Sequence, residues 1–244
     1  MRTRTVNDET LQHACLIEEL ILAIGLLKGG LRELQHIDSA NDFYHLPLLL
    51  LASGFERLMK VIICFHIHET KGSYPSKLPW MEGKGHGHDL MWLLDYITKQ
   101  CFSCSYLKRI PAAYQDITFL QEDKHVRTVI KILSDSGKAL RYYNLKVVSG
   151  NKPDTGSPEQ QWNKLETEIM RDSAEWAIEL RRASGLADAF GRVNTEIVAR
   201  LERFARALCR LFTIGALGAQ ALQASSVVHE FLMIRDDMLG NTRY

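Results

Sequence analysis

The sequence predicts an all-α protein, an up-and-down bundle of about seven to nine helices. Apolar residues recur with the helical period in almost every long segment, and no segment shows a sustained alternation of polar and apolar residues. Glycine, proline and capping residues stand between the periodic segments. Helices that are apolar on one face bury that face by packing side by side, which gives a bundle.

The first two helices are predicted at about 7–34 and 42–71. The first carries an apolar stripe along one face, with a break expected at Gly29 and Gly30 because glycine is a poor helix former. Asp42 is the expected cap of the second helix.

A loop rich in glycine and proline follows, and three more helices are predicted after it. His88 or Asp89 is expected to cap the first of these, and a carboxylate at Asp89 would also meet the positive end of the helix dipole. The last has an expected break near Ser136 and Gly137. The predicted ranges are 84–100, 111–120 and 124–145.

The only linker-like stretch is 148–158, and a clear helix start follows it. Ser157 and Gln160 form a capping box, and Pro158 suits the first helical position. Helices are predicted from this point to about 182 and from about 188 to 213. We therefore divide the chain into residues 1–150, a helical bundle, and residues 151–244, further helices packed on the same bundle as one continuous domain.

The bulk composition is that of a folded protein without a global charge. The 244 residues include 30 basic and 29 acidic ones, so binding to nucleic acid needs a local basic patch. Three of the five cysteines lie in apolar helical runs, and no secretory signal begins the chain, so a cytoplasmic setting is expected. The uncharged stretch 211–228 contains glutamine and serine, and we predict a helix packed closely through Gly215 and Gly218, with no membrane partner.

Two histidines and two cysteines invite a comparison with zinc sites. His86 and His88 precede the helix at 84–100, and Cys101 and Cys104 follow it. A helix of about 12 residues is roughly 18 Å long, so the two pairs lie at opposite ends. We therefore predict neither a metal nor a cofactor. Glycine-rich phosphate loops and dinucleotide fingerprints are also absent from the sequence.

The helix at 188–213 has an unusual distribution of charge. Its buried stripe is predicted from Ile197 to Leu211, and four arginines lie within about 60° on the opposite face, which is expected to face water. Guanidinium groups bind oxyanions in a fork, so this face is a candidate site for phosphate contacts. A solvated face or a subunit contact is the alternative. The four residues are Arg192, Arg203, Arg206 and Arg210.

Four stretches together resemble a known family. They are GFERLMKVIICF, KGHGHDLMWLL, RYYNL (141–145) and FLMIRDDMLGNTRY. Their order is similar to that in the HEPN-like helical superfamily of prokaryotic toxin–antitoxin and phage-defence proteins. The resemblance implies a helical bundle, a homodimer and, in active members, metal-independent RNase activity in which an arginine and a histidine meet at the dimer cleft.

The candidate site residues follow from this resemblance. In RYYNL, Arg141 would contact a phosphate and Asn144 would orient it, and His88 is the histidine that we nominate as a proton carrier. The first hypothesis is thus a protein that binds RNA or another phosphate-bearing ligand and is a degenerate or atypical RNase. The alternative is a non-catalytic helical module for dimerisation or for binding a protein partner. The sequence leaves open which of the two holds and whether the protein is an enzyme.

Overall fold

A computed structural model of the chain describes residues 6–37, 44–81, 86–103, 105–138, 142–151, 156–172 and 185–244. The described part is all-α and contains no strand, which confirms the predicted fold class. It holds ten α-helices, of which seven have seven or more residues. The expected cap Asp42 lies outside the described residues.

The long helices follow the predicted order, with short helical turns between some of them. The α-helices are α1 (Val6–Gln35), α2 (His45–Lys71), α3 (Leu90–Gln100), α4 (Pro111–Glu122), α5 (Lys124–Lys138), α6 (Tyr143–Val148), α7 (Pro158–Asp172), α8 (Gly185–Arg210), α9 (Gly218–Gln223) and α10 (His229–Leu232). The 3₁₀ turns are Pro79–Met81, Ser105–Arg109 and Asp236–Met238.

Helix α2 is buried along most of its length, and it packs against α1, α3, α5 and α8. Phe55 of α2 meets Phe204 of α8 edge to face, with ring centroids 4.9 Å apart. Phe65 meets Phe212, just beyond α8, in the same manner at 5.9 Å. Helices from both predicted parts of the chain therefore contribute to one apolar core. The boundary near residue 150 stays a prediction.

The crossing of α1 and α2 depends on two glycines. A Cβ on Gly30 would lie 2.6 Å from Leu51 Cγ, and a Cβ on Gly54 would lie 2.9 Å from Leu27 Cγ. In both cases the backbone nitrogen of the same leucine would be only 3.0 Å away. The expected break at Gly29 and Gly30 is wrong, because α1 continues to Gln35. Gly30 instead allows α1 and α2 to pack closely, because any side chain at this position would collide with Leu51.

Two predicted helix caps are confirmed. Asp89 accepts a hydrogen bond from the backbone N–H of Trp92 at 3.1 Å. Helix α3 therefore begins at Leu90, and the predicted start at residue 84 is wrong, because residues 86–89 form a turn before the helix. Ser157 and Gln160 bond reciprocally, since the Gln160 N–H donates to Ser157 Oγ at 3.1 Å and the Ser157 N–H donates to Gln160 Oε1 at 3.0 Å. These contacts satisfy N–H groups that lack partners inside the helix.

One other expectation about helices is wrong, and one is untested. Helix α5 includes Ser136 and Gly137 and ends at Lys138, next to residues 139–141, which lie outside the described residues. The expected break near Gly137 therefore stays a prediction. The stretch 211–228 is not one helix, because Gly215 (φ 80°) and Gly218 (φ 82°) adopt left-handed conformations that end helical structure. In the described part of the chain, no helix is long and apolar enough to cross a membrane.

We expect Gly30→Ala to destabilise the protein by about 1–3 kcal/mol, because the added methyl group overpacks the α1–α2 crossing. Urea unfolding measures the change. Gly191→Ala is the matched control, since no atom in the described part of the chain lies within 4 Å of a Cβ at this position in α8. The control should raise the free energy of unfolding by up to about 1 kcal/mol, as alanine does in a helix interior. Equal effects of the two substitutions would contradict the role of the crossing.

Candidate functional site

The arginine face of α8 was expected to face water, but only part of it does. Arg192 is exposed, Arg203 is half-buried, and Arg206 is 7% exposed. Helix α4 and the segment 234–239 cover the C-terminal half of this face. The expectation of a solvated row is therefore wrong for Arg206 and Arg210, whose guanidinium groups lie under neighbouring elements and bond to them.

Three of the four predicted arginines line one pocket, which we call the arginine pocket. It has a volume of about 450 Å³ and is formed where α4, α8 and the segment 234–239 meet. Arg192 lies about 16 Å along the helix from Arg203 and does not belong to it. The lining residues are Ala112, Gln115, Asp116, Arg203, Arg206, Arg210, Arg235, Asp236 and Leu239.

The deepest ion pair of the pocket joins Arg210 to Asp116. Arg210 Nη1 donates to Asp116 Oδ2 at 2.5 Å and to the backbone carbonyl of Ala112 at 3.3 Å. Asp116 is only 3% exposed, and burial raises the pKa of its carboxyl although the arginines around it act in the opposite direction. The charge of Arg210 is thus committed to holding α8 against α4.

Arg206 is committed to the segment 234–239. Its Nη1 donates to the carbonyl of Ile234 at 2.6 Å, and its Nη2 donates to Asp236 Oδ1 at 2.5 Å. The Asp236 side chain is itself 87% exposed, and the bond from Arg206 is the main cause that lowers the pKa of its carboxyl. A buried guanidinium is therefore neutralised by a carboxylate that lies at the pocket rim.

Arg203 differs from its neighbours, because its guanidinium remains available. It stacks on the ring of Phe119, with Cζ 4.2 Å from the ring centroid. Among the described residues it forms no hydrogen bond and no ion pair. A guanidinium that stacks on an aromatic ring keeps its N–H groups in the plane, directed away from the ring, where they can bind an oxyanion. Of the residues that line the pocket, Arg203 is therefore the one best placed to bind an anion.

The segment 234–244 is fixed on α8 by a second buried charge, Glu202. This carboxylate has no exposed surface and accepts hydrogen bonds from the Gly240 N–H at 2.6 Å and from the Tyr244 hydroxyl at 2.8 Å. Gly240 has a φ of 83°, and a Cβ there would lie 2.7 Å from Thr195. The glycine therefore allows the segment to approach α8 closely and to form one wall of the pocket.

The histidine predicted as a proton carrier lies at a different place. His88 is exposed in the turn before α3, and its Nδ1 is 2.9 Å from Glu56 Oε2 of α2. Glu56 also accepts from Lys60 at 2.6 Å. A carboxylate that binds one ring nitrogen of a histidine orients the ring and leaves the other nitrogen for proton transfer. This geometry suits a general acid or base, although no other candidate residue contacts it in the described chain.

The end of α5 reaches the same corner, because Lys138 Nζ lies 2.6 Å from Asp89 Oδ2. The stretch RYYNL begins three residues later in the chain, at Arg141. Asn144 is exposed near the start of α6, and Arg141 lies outside the described residues. The prediction that His88, Arg141 and Asn144 come together therefore stays a prediction.

Cys101 is fully buried at the end of α3, and Cys104 lies outside the described residues. Over the part of the chain that the structure describes, no group of three or more histidine, cysteine, aspartate or glutamate side chains is placed to hold a metal ion.

Sequence reasoning missed the partners of the arginines. Asp116 and Phe119 stand on a separate helix, and Asp236 lies in a segment without a helical pattern. Only the helical spacing of α4, which puts Asp116 and Phe119 on one face, could have indicated a common surface. The pairing of that surface with α8 depends on the packing of the whole bundle.

The fold and the pocket together define an all-α protein with a candidate anion site between two helices and a covering segment. Comparison of the chain with protein-family models, with curated proteins and with solved structures finds no match.

We expect Glu202→Gln to change how stability depends on pH. Burial raises the pKa of Glu202 above its ordinary value of 4.5, while the bonds from Gly240 and Tyr244 act in the opposite direction. The folded chain thus holds this proton more tightly than the unfolded chain. The stabilisation is fully present below the unfolded pKa and is lost as the pH rises through the raised folded pKa.

Urea unfolding of the wild type and of Glu202→Gln between about pH 4 and pH 7 measures this contribution. The wild type should lose stability relative to the variant as the pH rises, because glutamine does not titrate. Two curves that run parallel over this range would show that the Glu202 pKa is not raised. Glu196→Gln is the control, since Glu196 is exposed on the same helix and its side chain bonds Arg200 alone among the residues that the structure describes.

Proposed function

We propose that the protein binds a phosphate-bearing ligand, with RNA as the leading class, in the arginine pocket. The observation that carries the proposal is the Arg203 guanidinium, which faces a cavity of about 450 Å³ without an acidic partner among the described residues. Four arginines and two aspartates line this cavity, and the fourth arginine, Arg235, pairs with Asp237, so one positive charge, that of Arg203, is in excess. Such an excess attracts phosphate groups, and it does so most strongly at low salt.

The two aspartates strengthen the case for a phosphate group of limited size. Asp116 and Asp236 each neutralise one arginine and fix its position, so the site is preorganised before a ligand enters. A preorganised site loses less conformational entropy on binding than one built from mobile side chains. The pocket can hold one or two phosphates, and a longer RNA strand would extend along α8 toward Arg192. A cytoplasmic location, where RNA is abundant, belongs to the same proposal.

We expect Arg203→Ala to weaken binding of a fluorescent single-stranded RNA by about 10- to 100-fold, the loss of one hydrogen-bonded charge pair. Fluorescence anisotropy at low and at moderate salt measures the affinity. Arg192→Ala distinguishes two modes of binding. A strand that follows the whole face of α8 requires Arg192 as well, whereas a single phosphate in the pocket does not. The proposal is wrong if the wild type binds neither RNA nor inorganic pyrophosphate at low salt.

Cleavage of RNA is the catalytic extension of this proposal, in the toxin–antitoxin and defence setting that the resemblance to HEPN-like proteins suggests. His88 would transfer the proton, with Glu56 orienting its ring, while Arg141 and Asn144 would hold the phosphate. The hydrogen bond between His88 and Glu56 supports this assignment. The ring nitrogen not bound to Glu56 is the one that would exchange a proton with the substrate.

If the protein cleaves RNA in the presence of EDTA, His88→Ala should lower the rate by about 10²–10⁴-fold, as loss of a general acid or base does. Gel analysis of labelled RNA gives the rate. His36→Ala is the control, because His36 is also exposed but its Nδ1 bonds a backbone carbonyl, that of Arg32. Unchanged cleavage by His88→Ala would remove His88 from the candidate site.

A second candidate function is a dimerisation module without catalytic activity. The observation that favours it is a set of exposed apolar side chains on the outer face of α1, namely Leu11, Ile21 and Leu22, which are 64%, 53% and 55% exposed. Apolar residues gathered on one exposed helix face are typical of contact surfaces. A protein partner would use a surface of the same kind.

A further inference from the structure

Helix α1 is apolar on two opposite faces. Its inner face includes Leu20, Leu27 and Leu31, which have no exposed surface. At about 100° per residue, a second stripe runs along the outer face within a sector of about 120°. Its members are Leu11, Ala14, Cys15, Glu18, Ile21, Leu22, Gly25, Gly29 and Arg32. A helix that is apolar on most sides normally packs on more than one side.

The outer stripe carries two charged residues, Glu18 and Arg32, with glycine between them. Glu18 and Arg32 are exposed, and neither side chain pairs with another described residue. Gly25 lies midway between them along the helix, and no described residue stands within 4 Å of a Cβ built there. Seven residues are two helical turns, so all three positions share one face.

We propose that α1 pairs with α1 of a second copy of this chain, antiparallel, on a two-fold axis beside Gly25. This inference rests on the second candidate function, dimerisation, and specifies its surface. The antiparallel arrangement places Glu18 of each copy opposite Arg32 of the other, whereas a parallel pair would place like charges together. A two-fold interface repeats each of these contacts, so both ion pairs form.

The glycines allow the two helices to approach closely. Residues that are equally far from Gly25 face each other across the axis, so Ile21 of one copy packs over Gly29 of the other. Bulky side chains that fit over small residues of the facing helix are the usual way in which two helices interlock. The pairing would remove Ile21 and Leu22 from water.

Two measurements test the inference, and both use the full chain. The first is the mass in solution by light scattering over a range of concentrations. The wild type should be dimeric, Glu18→Arg should weaken association by about tenfold, and the double variant Glu18→Arg/Arg32→Glu should restore it because opposite charges again face each other. Circular dichroism should show the same helix content for all variants.

The second measurement is disulfide cross-linking under mild oxidation. Gly25→Cys in a Cys15→Ser background should yield a covalent dimer, since position 25 faces itself across the axis. The Cys15→Ser parent is the control. The wild-type Cys15, although exposed, should not cross-link, because the two copies of position 15 would lie about 30 Å apart.

The outcomes distinguish dimerisation itself from the use of α1 as the interface. A wild type that is monomeric at every concentration overturns dimerisation itself. A wild type that is dimeric, but whose Gly25→Cys variant does not cross-link and whose charge variants do not differ, overturns only the α1 interface. Dimerisation would then use another surface, such as the exposed apolar side chains of α6, Leu145 and Val148.

Discussion

The crossing of α1 and α2 is the constraint on which the rest of the structure depends. Gly30 and Gly54 lie opposite Leu51 and Leu27, so each helix presents a gap to a leucine of the other and the two backbones come close together. This contact fixes α2 as the central helix, and α3, α5 and α8 then pack around it. The arginine face of α8 takes its orientation from this packing, because Phe204 is inserted against Phe55.

Once α8 is fixed, its arginines line the pocket, and they differ in how deeply they are buried and in what they bind. Arg210 is bound to α4 and Arg206 to the segment 234–239, so two of the charges are structural. The third, Arg203, is held by an aromatic ring and not by an acid. The same helix thereby supplies both the contacts that assemble the site and the group best able to bind an anion, a division that its sequence spacing does not reveal.

Much of the fold could be predicted from the sequence, because helical periodicity and caps are local signals. The α1 range, the Asp89 cap and the capping box at Ser157 depend only on neighbouring residues. The errors arose where tertiary contacts decide. Gly30 looks like a helix breaker until its leucine neighbour is known, and Arg206 looks solvated until a segment far along the chain covers it. The composition of the pocket was beyond reach for the same reason, since Asp116 and Asp236 come from elements whose positions only the packed bundle defines.

The carboxylate of Asp236 gives the molecule an internal competitor. It already occupies the Nη2 side of Arg206, the position that an oxygen of an incoming anion would otherwise take. Any ligand that reaches this guanidinium must displace the aspartate, and the aspartate helps to hold the segment that ends in Tyr244 against Glu202. If a ligand bound this guanidinium, its binding and the attachment of that segment would be coupled equilibria, in which each would weaken the other by the same factor.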